Sequence, residues 1–171
     1  DQIYDEHPHV FSVIALDNLL NRNGLEIVKV ENLSVHGGSN RIYAMKKGVG
    51  YVEESVEQNK TYERILGLDK LETFVRFAEK VNQSKSDLLR LLKKCKQEGK
   101  KVISYGASSK STTIFNYCGI GPDLISYITD TTPEKQGKLS PGMHIPVMSP
   151  EQGFNETVDY AYLGAWNFIQ E

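Results

Sequence analysis

The sequence predicts an α/β protein: a Rossmann-like C-terminal domain with a mostly parallel sheet flanked by helices, preceded by a helix, a two-strand segment and a long linking helix. Three observations carry this. After Gly99 the segments "KVISY", "SSKSTTIFNYC", "LISYITD", "VDYAYL" and "AWNFIQE" read strand, helix, strand, strand, helix, the alternation of a parallel α/β unit. Ahead of them, residues 53–98 keep a helical period almost throughout. Ahead of that, one segment of helical period is followed by two of strand period.

Each element has a local reason. Residues 1–11 are polar and aromatic, and read as a loop or strand end. In "SVIALDNLLNRNG", Val13, Leu16, Leu19 and Leu20 recur at helical spacing, with Ser12 placed to cap and Gly24 to stop. "LEIVKVENLSV" alternates apolar and polar residues, "HGG" breaks it, and "SNRIYAMKK" supplies a second strand, so the pair predicts a hairpin-like edge. "GVG" is a hinge. The helical stretch that follows has a break at "GLD", residues 67–69. Its stripe runs through Leu71, Phe74, Val75, Ala78 and Val81 and continues in Leu88, Leu91, Leu92 and Cys95, while Glu and Lys fill the opposite face.

Composition excludes several classes of function. The 171 residues are 39% apolar and 25% charged, ordinary for a globular protein, and a formal charge of -2 gives no basic footprint for nucleic acid. No apolar run is long enough to span a membrane, and the N-terminus has no secretory pattern. A cytoplasmic protein is expected. Cys95 and Cys118 match no zinc spacing and make no disulfide framework. Both read as reduced core thiols.

Four stretches carry candidate chemistry. In "VISYGASSKSTTIFNYCGI" a strand turns through Gly106 into a helix. The first helical amides have no backbone partner, and the positive end of the helix dipole lies behind them, which suits an anion. Ser108, Ser109 and Ser111 offer hydroxyls and Lys110 a charge. Asp130 ends the next strand, where such folds often place a ribose-binding acid. Against this, Ser108 or Ser109 could simply cap the helix, and one glycine is not the three of a dinucleotide fingerprint. "YDEHPH" crowds Tyr4, Glu6, His7 and His9 together, a set suited to proton transfer, to a metal shared by His7 and His9 though no third ligand lies nearby, or equally to a solvated loop. "VHGGSNRIY" places His36 beside Gly37 and Gly38, where backbone could approach a ligand or merely turn. "DTTPEKQGKLSPGMHIPVMSP" is a long loop after a strand's C-terminal end, with Lys135 and His144 as its ionisable candidates.

Taken in order, "IYDEH", "GLEIVKVENLSVHGGSNRIYAMKK", "SYGASSKSTTIFNYCGI", "ITDTTPEKQGKLSPGMHIPV" and "DYAYLGAWNF" resemble the C-terminal region of the sugar C-methyltransferase family. The resemblance covers nearly the whole chain. It implies an enzyme that transfers a methyl group from S-adenosylmethionine to a carbon of a nucleotide-linked keto-sugar. It also implies a small zinc-binding N-terminal domain, a central methyltransferase domain and a Rossmann-like C-terminal domain. Residues 1–50 would then be the C-terminal end of the central domain, 51–99 a helical linker, and 100–171 the last domain, truncated at its end.

This stretch carries no zinc cysteines and no glycine-rich S-adenosylmethionine loop. The cofactor site would lie mostly elsewhere, and the piece alone is expected to be inactive. The family's Tyr-x-Glu-His motif matches Tyr4, Glu6 and His7. By that resemblance His7 is the base that deprotonates carbon beside the ketone, Glu6 orients it, and Tyr4 donates to the sugar or its developing oxyanion. Downstream the family commonly has a Ser-Tyr pair, whereas this chain reads "HPHVFS", and Phe11 has no hydroxyl to offer. "YGASSK" matches the family's "GYGA…K" element, which points to a pyrophosphate site made by Gly106, Ser108, Ser109 and Lys110, with Asp130 and Lys135 for the rest of the nucleotide. His36 and Gly37 complete the substrate-binding candidates, and no metal ligand set is expected. Two readings compete: a nicotinamide-dependent oxidoreductase half-domain and a non-catalytic nucleotide-binding module.

Overall fold

A computed structural model describes residues 7–154 and 157–164, the His36 side chain excepted. The chain divides into two compact units, one over Pro8–Lys80 and the other, among the described residues, over those from Val81 onward together with His7.

In the first unit, α1 (Val13–Arg22) precedes the antiparallel pair β1 (Leu25–Leu33) and β2 (Ser39–Lys46), followed by α2 (Glu54–Ile65). Ser12 caps α1 by accepting from the Ala15 amide at 3.1 Å. Buried Glu63, fifty residues away on α2, accepts from the amides of Val13 and Ile14 at 2.6 and 2.8 Å. The helix therefore starts where both a local serine and a distant carboxylate satisfy its orphan donors. Val13, Ile27, Val30 and Val56 form the core, with Leu16, Leu20 and Ile42 packed on it. The expected alternation in β1 is broken: a register shift between Ile27 and Lys29 leaves Ile27 and Val28 both buried, because a bulge turns two successive side chains inward.

The predicted helix break is present. Gly67 adopts φ +72°, and the Leu68 amide bonds back to the Glu63 carbonyl at 2.9 Å, a left-handed stop that glycine adopts without a Cβ penalty. α3 (Leu71–Gln97) follows. Its apolar stripe is used only in part. Leu88, Leu89, Leu92 and Cys95 pack into the second unit's core, whereas Leu71, Phe74, Val75 and Leu91 are exposed. For Leu91 the expectation fails because the face that packs is centred between Leu88, Leu89, Leu92 and Cys95, and residue 91 lies about a quarter-turn from that centre.

The second unit is a four-stranded parallel sheet in the order β5-β4-β3-β6, made of β3 (Val102–Tyr105), β4 (Ile128–Thr129), β5 (Val147–Met148) and β6 (Tyr160–Leu163). α4 (Ser109–Cys118) connects β3 to β4, and the single turn α5 (Pro150–Gly153) follows β5. Central β3 buries Val102, Ile103 and Ser104, and Phe115, Ile120, Ile125, Ile128 and Ile145 complete the core. The expected strand at "LISYITD" is reduced to Ile128–Thr129. The helix expected at "AWNFIQE" lies outside the described residues. No described helix is long and apolar enough to cross a membrane.

Candidate functional site

All four strands run parallel, so the C-terminal ends of β3 and β4 open on one edge. The strand order reverses at β3: the chain moves through α4 to β4 and β5 on one side, and β6 lies on the other. In open α/β sheets the crevice for a ligand forms at such a reversal. The β3–α4 turn, Gly106-Ala107-Ser108, occupies it.

Gly106 has φ +92°, a conformation that selects glycine. Its amide donates to the Thr129 carbonyl at 2.8 Å. Ser108 is the N-cap of α4 and closes a reciprocal box with Ser111: the Ser111 amide donates to Ser108 Oγ, and the Ser108 amide to Ser111 Oγ, both at 3.1 Å. Capping and anion binding therefore do not compete for Ser108 alone: its oxygen serves the third helical amide, while those of Ser109 and Lys110 head the helix ahead of it. Ser109 is exposed and Lys110 half-buried, so Lys110 does not simply extend into water.

Asp130 and Lys135 also come to this turn. Asp130 Oδ2 accepts from the Ala107 amide at 2.7 Å and from Lys135 Nζ at 3.2 Å, and Oδ1 accepts from the Thr132 amide at 2.8 Å. Lys135 Nζ donates as well to the Ala107 carbonyl at 3.0 Å. Burial pushes the Asp130 carboxyl up, but the bonds from Thr132, Ala107 and Lys135 outweigh it and hold it below the usual range.

Gly164, at the end of β6, is a participant that pattern reading passed over. Its amide donates to the Tyr105 carbonyl at 2.7 Å, and its carbonyl accepts from Ser108 Oγ at 2.8 Å. A Cβ there would stand 2.6 Å from the Gly106 carbonyl oxygen. The sequence signal was a glycine directly after a predicted strand.

Six of the sequence candidates thus converge: Gly106, Ser108, Ser109, Lys110, Asp130 and Lys135. His36 and Gly37 belong to the Pro8–Lys80 unit. There the 3-10 turn Val35–Gly37 separates the two strands, with Gly37 at φ +80° and Gly38 at φ +121°. His7 is exposed on irregular backbone, while Tyr4 and Glu6 lie outside the described residues. His144 is exposed and carries φ +54° in the loop before β5. Cys95 and Cys118 are free and buried, and burial pushes the Cys118 thiol above its ordinary range, away from nucleophilic thiolate. Among the described residues, no three His, Cys, Asp or Glu side chains are grouped to hold a metal.

Residues 34–171 match the family described as the C-methyltransferase C-terminal domain. Over its full length the chain is also 35% identical to the C-methyltransferase NovU of Streptomyces niveus, and it spans 41% of that relative.

Proposed function

This chain belongs to the C-methyltransferase C-terminal domain family, and from that premise we propose that it is the substrate-binding part of an S-adenosylmethionine-dependent enzyme that methylates a carbon of a nucleotide-linked keto-sugar. The observation that carries the reading is the β3–α4 turn, held by hydrogen bonds at the reversal of strand order with first-turn amides behind it. The first-turn amides of Ser109 and Lys110 and the Lys110 ammonium receive the pyrophosphate, while Gly106 and Ser108, whose own donors go to Thr129, Ser111 and Gly164, shape the turn beneath it. A second reading, a nicotinamide-binding half-domain, fits less well: the turn has one glycine, and the acid at the end of β4 already accepts three hydrogen bonds.

The same two features do not suit S-adenosylmethionine in this sheet. Its site is proposed to lie in a central methyltransferase domain outside this stretch, with a zinc-binding domain ahead of it. The cofactor supplies the methyl group. The residues of this chain bind the nucleotide end and so orient the sugar carbon. His7 removes the proton beside the ketone, Glu6 orients the imidazole, and Tyr4 donates to the developing oxyanion.

Titration of the full-length protein with uridine 5′-diphosphate tests the pyrophosphate site. Lys110→Ala is expected to weaken binding roughly tenfold at low salt, with the difference shrinking as salt rises. An unchanged dissociation constant would return the turn to a purely structural role. Tighter binding of NADH than of the diphosphate would favour the second reading.

A further inference from the structure

Asp130 and Lys135 entered as ligand contacts, yet their bonds point into the protein. Together they hold both polar groups of a single residue: Asp130 takes the Ala107 amide and Lys135 the Ala107 carbonyl, while the two side chains also bond each other. Ala107 sits between left-handed Gly106 and the N-cap Ser108. Asp130 is itself fixed through its backbone, whose amide donates to the Met148 carbonyl and whose carbonyl accepts from Gln136 Nε2. At 7% exposure, its carboxylate gives a ribose hydroxyl almost no access.

We infer that Asp130 and Lys135 are positioning residues that clamp the Gly106–Ala107 turn into its anion-binding shape rather than groups that touch the nucleotide. The inference rests on the pyrophosphate reading above. A glycine turn without such a clamp samples other conformations. The ligand would then have to order it, at the expense of affinity.

The sign of one charge change separates the alternatives. Asp130→Asn removes a negative charge beside an anion site, which by electrostatics alone should tighten anion binding. It also presents an amide NH2 to donors that need an acceptor, which loosens the turn. In the full-length protein, well below each variant's melting temperature, Asp130→Asn is expected to weaken inorganic pyrophosphate binding about five- to tenfold. Lys135→Met should weaken it similarly and leave its salt dependence that of the wild type, and the double variant should be no weaker than the poorer single one. Hydrogen exchange of the peptide carrying Ala107 should accelerate in each. A residue serving stability alone would lower the melting temperature without moving these affinities.

Unchanged or tighter pyrophosphate binding in Asp130→Asn, with weakening confined to uridine 5′-diphosphate, overturns the inference and makes Asp130 a nucleoside contact. If the wild-type protein binds no pyrophosphate, the anion-site reading fails by itself. Exchange then decides: acceleration at Ala107 in Asp130→Asn supports the clamp, and an unchanged rate removes it.

Discussion

Gly164→Ala adds a single methyl group at the end of β6, where the added carbon would lie 2.6 Å from the Gly106 oxygen, 3.1 Å from the Tyr105 oxygen and 3.0 Å from Ser111 Cβ. Ordinary contact begins at about 3.5 Å, so the two segments must part by roughly half an ångström or more. The obstructing oxygens are backbone atoms and cannot swing aside as a long side chain would. Gly106 is tied to Thr129, and Gly164 to Tyr105 and Ser108. Overpacking of this kind costs about 1–3 kcal/mol, and stretching one of those hydrogen bonds adds about 1 kcal/mol. The sum, about 2–4 kcal/mol, corresponds to a melting temperature lower by roughly 5–15 °C. Gly164 shows no left-handed φ, so none of this is conformational strain.

Gly119→Ala supplies the control. Gly119 has φ +69° with nothing within 4 Å of an added Cβ, so its cost is only the left-handed penalty of about 1–2 kcal/mol. Thermal unfolding of both variants, followed by pyrophosphate titration, is the assay. Gly164→Ala should be the less stable of the two and should alone lose pyrophosphate affinity. Gly164→Ala within about 0.5 kcal/mol of wild type, the ordinary scatter of surface substitutions, would refute the close approach of β6 to the turn.

Two further substitutions probe the frame. Glu63→Ala strips the amides of Val13 and Ile14 of a shared carboxylate, and denaturant titration should show a loss of about 2–4 kcal/mol, with Glu63→Gln losing less because one acceptor oxygen remains. Ser104→Ala removes a fully buried hydroxyl that has no hydrogen-bond partner among the described residues. Stability should therefore hold or rise by up to about 1 kcal/mol, and a clear loss in calorimetry would mean that the hydroxyl has a partner.

Element type followed from periodicity and caps. The 3.6-residue stripe of α1, the serine before it, the glycines at 24 and 67 and the strand–helix–strand order over residues 101–130 are all local signals, and each places an element close to where it is found. The turn at Gly106 was legible for the same reason: only a few neighbouring residues make it. Partnership was not. The sequence offers Glu63 as one more charge on a helix, Asp130 and Lys135 as ionisable groups near a strand end, and Gly164 as a spacer.

Folding brings Glu63 to the start of α1 across fifty residues and Gly164 to Ser108 across fifty-six. It bonds buried Asp130 and part-exposed Lys135 to Ala107, and it leaves half of one continuous apolar stripe on α3 exposed. Hydrophobic period and capping chemistry act between residues a turn or a strand apart, so a linear reading captures them. Which carboxylate meets which amide depends on strand order and register, which close loops of tens of residues, and only the assembled chain fixes those.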